Sequence, residues 1–442
     1  MLIIYLLLSV VVIVVGTARF KIHPFIVLLL VALAYGFLAG MPVADIISSV
    51  NEGFGKTLGG IGLIIILGVI IGAFLENTGG AYAIAEKILN ILGRKNVPPA
   101  MGLMGYVVSI PVFADSGFLL LSALNKSLCK KAGITLAGAA IALSLGLTVS
   151  HTMVPPTPGP IAAAGILNAD LGLVLMIGIP VTIVSLTVSI LFATLYVARR
   201  VQIDPYPDGE EVVQTETQDA PSASMSLLPI VIPILLIVAK SLLKILSLPD
   251  GLLTSIIGFF GEPFVALLIG VFLAFLLPKK LTTEMVSTDG WIGKALASCA
   301  SILLITGAGG IFGKVLQNSG IAASLGDLIT QYHLGIWLPF LLAASIKTAQ
   351  GSSTVALITT ASILAPLMQG LGFTGEFDKA LIVLAIGAGS AVVSHANDSF
   401  FWVVTQMSNM DVRTGYRTHT LGTLVMGASA ATTIVIIHAI FS

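Results

Sequence analysis

The sequence has few charged side chains for its length. Lys, Arg, Asp and Glu together make up 10% of its 442 residues, against about 25% in an average soluble domain. A soluble chain of this length needs a charged surface to stay dissolved. The composition therefore excludes a soluble globular protein, a disordered protein and a nucleic-acid-binding protein. The formal net charge is zero, so total charge indicates no partner.

Cysteine and the motifs of enzymes are also scarce. Cys129 and Cys299 are the only cysteines, too few for a disulfide framework. The cysteines and histidines lack the spacing of a metal site, so we expect no metal and no cofactor. No G-x-x-x-x-G-K-[ST] sequence occurs, which excludes an ATP-driven pump within this chain. We expect a protein that is not an enzyme.

Apolar residues dominate instead, at 56% of the chain with a mean hydropathy of +1.05. A helix needs about 20 apolar residues to cross the hydrocarbon core of a bilayer. No basic segment precedes the first apolar run, so we expect it to be an uncleaved span rather than a signal peptide. We predict an all-α polytopic membrane protein. The apolar runs lie at 2–18, 24–40, 60–76, 97–124, 132–167, 172–198, 227–247, 252–277, 293–316, 336–370, 379–410 and 420–441.

Polar residues interrupt four of these runs. The stretches 97–124 and 336–370 are too long for one crossing and carry polar residues near the middle, at Asp115-Ser116-Gly117 and at 347–354. We predict that each is a re-entrant hairpin. The runs 132–167 and 379–410 are interrupted at 149–160 and 393–399, and we predict two broken spans. Such backbone is tolerated within a bilayer only where it lines a cavity.

Basic residues predict the orientation of the chain, because cytoplasmic loops collect Lys and Arg. Basic clusters at 87–95 and 126–131 flank the first hairpin, and both are cytoplasmic only if the hairpin returns to the side it entered from. The remaining spans then alternate, which places both termini outside the cell and the polar linker 199–226 in the cytoplasm.

The two halves of the chain share short motifs in the same order. Residues 75–79 match 316–320, and 149–151 match 393–395. The loop after the first copy of 75–79 is basic, whereas the loop after its counterpart lacks Lys and Arg. Opposite orientation of related halves is typical of secondary transporters, so we predict inverted repeats at 1–198 and 227–442. Chance similarity between apolar segments is the alternative.

The four interruptions are expected to converge at the middle of the membrane and form a binding site. Lys347 is the candidate anchor for an anionic substrate; the alternative is that it pairs with Asp398 or Asp115 and holds the halves together. The predicted substrate-binding residues are Lys347, Gln350, Ser352, Ser353, Thr354, Ser116, Thr152, Asn397 and Ser399.

Ionisable groups inside a membrane usually have a function. The candidates for proton coupling are Asp115, His151, His395 and Asp398. Alternatively, the histidines are neutral hydrogen-bonding groups, and Asp115 occupies its position because Asp tolerates turns. Which residue carries the proton, and whether the coupling ion is a proton or sodium, stays open at this point.

At these same interruptions the sequence resembles the gluconate:proton symporter family of bacterial inner-membrane permeases. The most specific segments are 113–117, 150–160, 349–356 and 394–399, and the resemblance covers nearly the whole chain. It implies proton-coupled uptake of gluconate or a related sugar acid, with D-serine and glycerate as further family substrates. The family is similar to the wider ion-transporter superfamily, which implies a homodimer of scaffold and transport domains that works by an elevator mechanism.

Two other classes of protein fit the sequence less well. A channel or a cation/proton antiporter that moves no organic solute would need carboxylates without an anchor for an anion, and Lys347 beside a tip rich in Ser, Thr and Gln argues against it. A purely structural membrane protein would not need four polar interruptions.

Overall fold

The computed structural model describes residues 1–93, 96–206, 220–246, 251–321 and 335–441. Helices and their connections account for this part of the chain, and no strand occurs in it. Six of its helices are long and apolar enough to cross a membrane, or seven if one bent pair is counted as a single span. The predicted all-α class is confirmed.

The helices of the first part of the chain are connected mostly by short turns. The last of these helices, which ends at Leu191, is followed by a π-helical turn, Phe192–Val197, and by the short helix Ala198–Arg200. The helices are α1 (Leu2–Ala18), α2 (Pro24–Leu38), α3 (Val43–Asn77), α4 (Gly80–Leu92), α5 (Val97–Val108), α6 (Ala114–Ala132), α7 (Leu136–Met153), α8 (Pro158–Leu167) and α9 (Leu171–Leu191).

The second part begins at Ala223 and includes another π-helical turn, Tyr416–Thr420, directly before its last helix. The helices are α10 (Ala223–Ile245), α11 (Leu252–Phe260), α12 (Pro263–Ala274), α13 (Trp291–Asn318), α14 (Trp337–Gln350), α15 (Ser353–Leu364), α16 (Glu376–Ala391), α17 (Ser399–Met407) and α18 (Leu421–Phe441). Short helical turns lie at Thr283–Val286, Ala365–Leu367 and Val412–Gly415.

The broken pair α7–α8 lies in the interior of the molecule. Of its most apolar 18-residue window 94% is buried, compared with 33% for α10 and 28% for the segment that contains α18. Ala and Gly are frequent in α7, and small residues let neighbouring helices approach closely. On the periphery, Leu252 and Phe272 are 81% and 60% exposed, as contact with lipid requires. The interruption at the end of α7 is therefore enclosed by protein.

Helix α3 is longer than the apolar run at 60–76 predicted, because it begins at Val43. Its polar first half packs against α13, where Gly53 lies against the backbone of Gly310. Asn318 donates a hydrogen bond to the Ser49 hydroxyl at 2.8 Å, and that hydroxyl donates to the Asp45 carbonyl at 2.6 Å. Tertiary packing and satisfied polar groups extend the helix beyond the region that hydropathy identifies.

Within 97–124 the chain turns between α5 and α6, but this turn does not lie where the sequence placed the tip of the first hairpin. The turn between α5 and α6 consists of residues 109–113, and Asp115-Ser116-Gly117 lies in the first turn of α6. Pro111 lies in that turn and cannot donate a backbone hydrogen bond. Helix α6 continues to Ala132 instead of ending at 124. The second hairpin follows the prediction more closely, with α14 and α15 joined by Gly351 and Ser352.

The break in 132–167 is shorter than predicted. Residues 154–157 are non-helical, while His151 remains in α7 and Pro158 begins α8. Proline fits the first turn of a helix, where its missing N–H is not needed. The other broken span has the larger gap, at 392–398.

The sequence predicts a plain span at 252–277, and the structure shows a bend within it. Helices α11 and α12 meet at an angle of 66°, because Pro263 starts a new helix after Gly261 and Glu262. Parts of the predicted linker and of two predicted loops, at 94–95, 207–219 and 322–334, lie outside the described residues.

Candidate functional site

A cavity of about 270 Å³ lies where the hairpins meet the two broken spans. Helices α6, α7, α14, α15, α16 and α17 all contribute to its wall. The lining residues are Ala114, Asp115, Thr148, His151, Lys347, Gln350, Gly351, Ser352, Ser353, Thr354, Ala391, Ser394, Asn397, Asp398, Ser399 and Phe400. The volume corresponds to about nine water molecules at roughly 30 Å³ each, which suits a small organic molecule.

Most of the residues that the sequence singled out face this cavity. They are Asp115, His151, Lys347, Gln350, Ser352, Ser353, Thr354, Asn397, Asp398 and Ser399. Three others do not line it. Ser116 lies outside the wall beside Asp115, and the buried Thr152 hydroxyl donates to the Thr148 carbonyl at 2.9 Å. His395 hydrogen-bonds through Nε2 to the Thr348 carbonyl at 2.8 Å and stacks on Tyr416.

The turn of the second hairpin presents hydrogen-bond donors to the cavity. Gly351 has a φ of +92°, a conformation that favours glycine. The Ser352 hydroxyl accepts a hydrogen bond from the Val355 N–H at 3.3 Å and so caps α15. The first N–H groups of a helix, here those of Ser353 and Thr354, have no partner within the helix and carry partial positive charge. The N-terminus of α15 is therefore suited to an anion.

Lys347 and Asp398 form a buried ion pair at the floor of this cavity. The distance from Lys347 Nζ to Asp398 Oδ2 is 2.6 Å, and the two side chains are 1% and 11% exposed. Lys347 also donates to the Gly351 carbonyl. Asp398 caps α17 by accepting from the Phe400 N–H at 3.1 Å. A buried charge is stable only if it is paired and hydrogen-bonded, and here both conditions hold.

Two polar atoms of the wall are buried and have no hydrogen-bond partner among the described residues: Nδ1 of His151 and Oδ1 of Asn397. The amide nitrogen of Asn397, by contrast, donates to the carbonyls of Thr348 and Ala349 at 2.9 and 3.2 Å. Buried polar atoms nearly always have a partner. Both atoms belong to residues that line the cavity.

Several residues of this region were not predicted from the sequence. Thr148 and Ser394 line the cavity, and His419 lies behind Ser394, with its Nε2 atom 3.1 Å from the serine Oγ. His419 is fully buried. A histidine next to an apolar run is a signal that could have been used, because ionisable residues at membrane depth are rare.

A second cavity is larger, at about 620 Å³, but it lies away from the helix breaks. Lys56, Lys314 and Lys379 line it together with Glu52, whose carboxylate lies 3.3 Å from Lys314 Nζ. Neither of the two unpartnered cavity-wall atoms nor any of the four interruptions borders it. Volume alone is therefore a poor guide, and the smaller cavity is the candidate site.

Comparison with known proteins settles the family. The model of the GntP family of permeases matches residues 1–440. The chain belongs to the GntP permease family. This permease is 35% identical over 430 residues to a gluconate permease of Pseudomonas aeruginosa, covering 94% of each chain. It is 32% identical over 404 residues to the Gnt-II system L-idonate transporter of Escherichia coli, covering 91% of each chain. These relatives are transporters, and so is this GntP permease; it is not an enzyme.

A solved structure supports the fold. The GntP permease is similar to the Alcanivorax borkumensis YdaH transporter, whose crystal structure has been described as showing an unusual topology. The TM-score is 0.68 at 13% sequence identity, covering 94% of this chain and 98% of the YdaH chain. At this identity the similarity shows the fold alone.

Proposed function

We propose that this permease is a secondary active transporter that takes up gluconate, or a related small sugar acid, together with a proton. Relatives that bear the names gluconate permease and L-idonate transporter support the substrate class. The observation that carries the proposal is the composition of the cavity. It combines one buried ammonium group, Lys347, with a helix N-terminus and two unpartnered polar atoms. A monocarboxylate with a row of hydroxyls needs that combination.

Coupling follows from the charge balance of the buried pair. In the empty site, the charges of Lys347 and Asp398 compensate one another. If the carboxylate of the substrate takes the ammonium as its partner, Asp398 becomes an uncompensated buried charge, which costs several kcal/mol. A proton on Asp398 removes that cost. One proton then accompanies each substrate anion, and the charges of Lys347, Asp398 and the substrate again sum to zero.

The other candidates for proton coupling have different surroundings. Asp115 lies on the opposite hairpin, at the cavity wall, and is a second candidate proton acceptor. His151 contributes its unpartnered Nδ1 atom, which we assign to a substrate hydroxyl. His395 lies outside the cavity wall, and its role in proton coupling stays a prediction.

The architecture that we propose has two inverted repeats, 1–198 and 227–442, joined by a cytoplasmic linker at 199–226. The order of elements supports the repeats, because a long helix, a hairpin, a broken pair and a further helix follow one another in each half. Gly79 and Gly320, which are matched in the sequence, follow the ends of α3 and α13 with φ values of +75° and +74°. We further propose a homodimer in the bacterial inner membrane that works by an elevator mechanism, with both termini outside.

Proteoliposomes test the transport proposal. Purified protein in liposomes with an imposed pH gradient and no nucleotide is expected to accumulate radiolabelled gluconate. Competition by unlabelled idonate, glycerate and D-serine then measures the affinity of the site for each of them. Liposomes without protein are the control. Accumulation that follows a sodium gradient and ignores the proton gradient would contradict proton coupling. Proton movement driven by sodium with no organic solute present would favour a cation/proton antiporter.

A further inference from the structure

A chain of hydrogen bonds runs from the buried ion pair into the protein, away from the cavity. The Ser394 hydroxyl donates to Asp398 Oδ2 at 2.5 Å. On its other side, Ser394 Oγ lies 3.1 Å from Nε2 of His419. Nδ1 of His419 lies 3.2 Å from the hydroxyl of Ser144, which is also 3.0 Å from the carbonyl of Ile141. The imidazole is thus connected to the Asp398 carboxylate through a single hydroxyl group.

The fold holds His419 firmly against the broken span. The residue lies in the π-helical turn Tyr416–Thr420, and π-helical segments are frequent at functional sites. The Thr420 hydroxyl donates to the Ser394 carbonyl at 2.5 Å, and the Ser394 N–H donates to the Thr423 hydroxyl at 3.1 Å. These two bonds hold the Ser394 backbone to this turn and to the start of α18, and they help to fix the spacing between Ser394 and His419.

The surroundings of His419 contain few charges. Helix α7 presents Ser144, and α17 presents the rings of Phe400 and Phe401, at 5.6 and 6.2 Å from the imidazole. Within the described part of the chain, the charged groups whose fields reach His419 are Asp398 and Lys347. Arg413 and Arg417, on the neighbouring turns, are exposed. Among the charged groups of the described residues, the ion pair is therefore the one that acts on the imidazole.

The hydrogen bonds are satisfied whether or not His419 carries an extra proton. Since Ser394 donates to Asp398, its oxygen accepts from the Nε2–H of His419. In the neutral imidazole that remains once Nε2 has given up its proton, Nε2 accepts from the Ser394 hydroxyl and Nδ1–H donates to Ser144. In the charged imidazole, Nδ1–H donates to Ser144, and the serine hydroxyl turns to the Ile141 carbonyl. Neither state leaves a polar atom unpaired, which is what a group that gains and loses a proton inside a protein needs.

We propose that His419 holds the coupling proton and exchanges it with Asp398 through Ser394. This inference rests on the proposed proton-coupled uptake and assigns its proton a place. When the substrate carboxylate takes Lys347, the Ser394 hydroxyl gives its proton to Asp398 Oδ2 and receives the Nε2 proton of the imidazolium. Asp398 ends neutral, Ser394 is unchanged and His419 becomes a neutral imidazole with its proton on Nδ1. His419 does not touch the substrate and is a positioning residue for the proton.

The test compares two kinds of transport in proteoliposomes, for the wild type and for His419→Gln. Glutamine donates to Ser394 and accepts from Ser144 but holds no proton in this pH range. We expect the variant to lose accumulation of gluconate driven by a pH gradient and to lose the pH dependence of uptake. Exchange of labelled for unlabelled gluconate at equal pH, which needs no net proton transfer, is expected to persist. His438→Gln, the same change on α18 outside this chain of bonds, is expected to behave like the wild type.

A His419→Gln variant that keeps the pH profile and the gradient-driven accumulation of the wild type overturns the inference. Ser394→Ala, which removes only the connecting hydroxyl, is the second variant and is expected to show the same loss; should His419→Gln fail to fold, a wild-type pH profile in Ser394→Ala overturns the inference equally. If the wild type itself ignores the proton gradient, the proposed function fails. If the wild type responds and both variants respond equally, only the role of His419 fails.

Discussion

We propose that Lys347 combines two roles that the sequence left as alternatives. The sequence predicted that Lys347 is either an anchor for the substrate or a partner for Asp398. The structure contains the ion pair, with 2.6 Å between Lys347 Nζ and Asp398 Oδ2. The pair does not exclude the anchor, because the same ammonium group borders the cavity. In this proposal, the carboxylate of the substrate replaces the carboxylate of Asp398 as the partner of the Lys347 ammonium group.

Replacing Lys347 separates the two roles. Lys347→Gln removes the ammonium, and we expect gluconate binding to weaken by about 2–5 kcal/mol, by analogy with other broken buried pairs. Asp398 also loses its partner, so the melting temperature is expected to fall. The double variant Lys347→Gln/Asp398→Asn leaves no unpaired charge and is expected to recover stability without recovering binding. Restored binding in the double variant, measured by titration calorimetry, would show that Lys347 is a structural partner only.

His151 offers a test of hydroxyl recognition. Its Nδ1 atom is buried without a partner in the empty site, so His151→Phe removes a polar atom that makes no hydrogen bond there. We expect the melting temperature to stay the same or to rise, and gluconate affinity to fall by the value of one hydrogen bond, about 1 kcal/mol. Gluconate analogues that each lack one hydroxyl identify the hydroxyl that His151 binds. The analogue without that hydroxyl is expected to bind the wild type and His151→Phe with equal affinity. Unchanged gluconate affinity in His151→Phe contradicts the assignment.

At the scale of elements, the sequence predicts interruptions better than it predicts boundaries. The sequence predicts two hairpins and two broken spans, because a membrane tolerates interrupted backbone in an apolar run only where protein encloses it, and helices end within each of these four runs. The position of the first tip was missed, since Asp115 marks a helix start rather than a turn. The start of α3 was missed because packing against α13, and not hydropathy, decides it. His419 escaped notice because its partners, Ser144 and Ser394, are distant in sequence.

The turn of the second hairpin depends on a glycine. At Gly351, φ is +92° and a Cβ atom would strike the backbone of Asn397. Gly372 is a matched control, with a φ of +81° and no atom within 4 Å of an added Cβ. Each substitution by alanine has the conformational cost, about 1–3 kcal/mol, but only Gly351→Ala also displaces the neighbouring break. We expect Gly351→Ala to melt lower than Gly372→Ala and to lose gluconate binding, whereas Gly372→Ala keeps it. Equal effects of the two changes would contradict this role of the hairpin turn.

At the scale of the whole molecule, the site depends on chain segments from both proposed repeats. Asp115 and His151 come from one half, and Lys347 and Asp398 from the other. The ends of helices from each half border the cavity, so neither half alone contains a complete site. This arrangement explains why one chain carries four interruptions. The orientation of each hairpin matters for transport, because it decides which residues meet at the cavity.

The orientation of the first hairpin is open to direct measurement. If α5 and α6 enter and leave on one side, cysteines placed at Lys87 and Lys131 react with a membrane-impermeant reagent from the same side. A cysteine at Ala169 is expected to react from the opposite side, because α7 and α8 together complete a crossing before α9 begins. The native cysteines give little background, since Cys129 and Cys299 are 0% and 1% exposed. Labelling of the Lys87 and Lys131 positions from opposite sides would turn the hairpin into a crossing. It would also reverse every later span and remove the inverted relationship between the two halves.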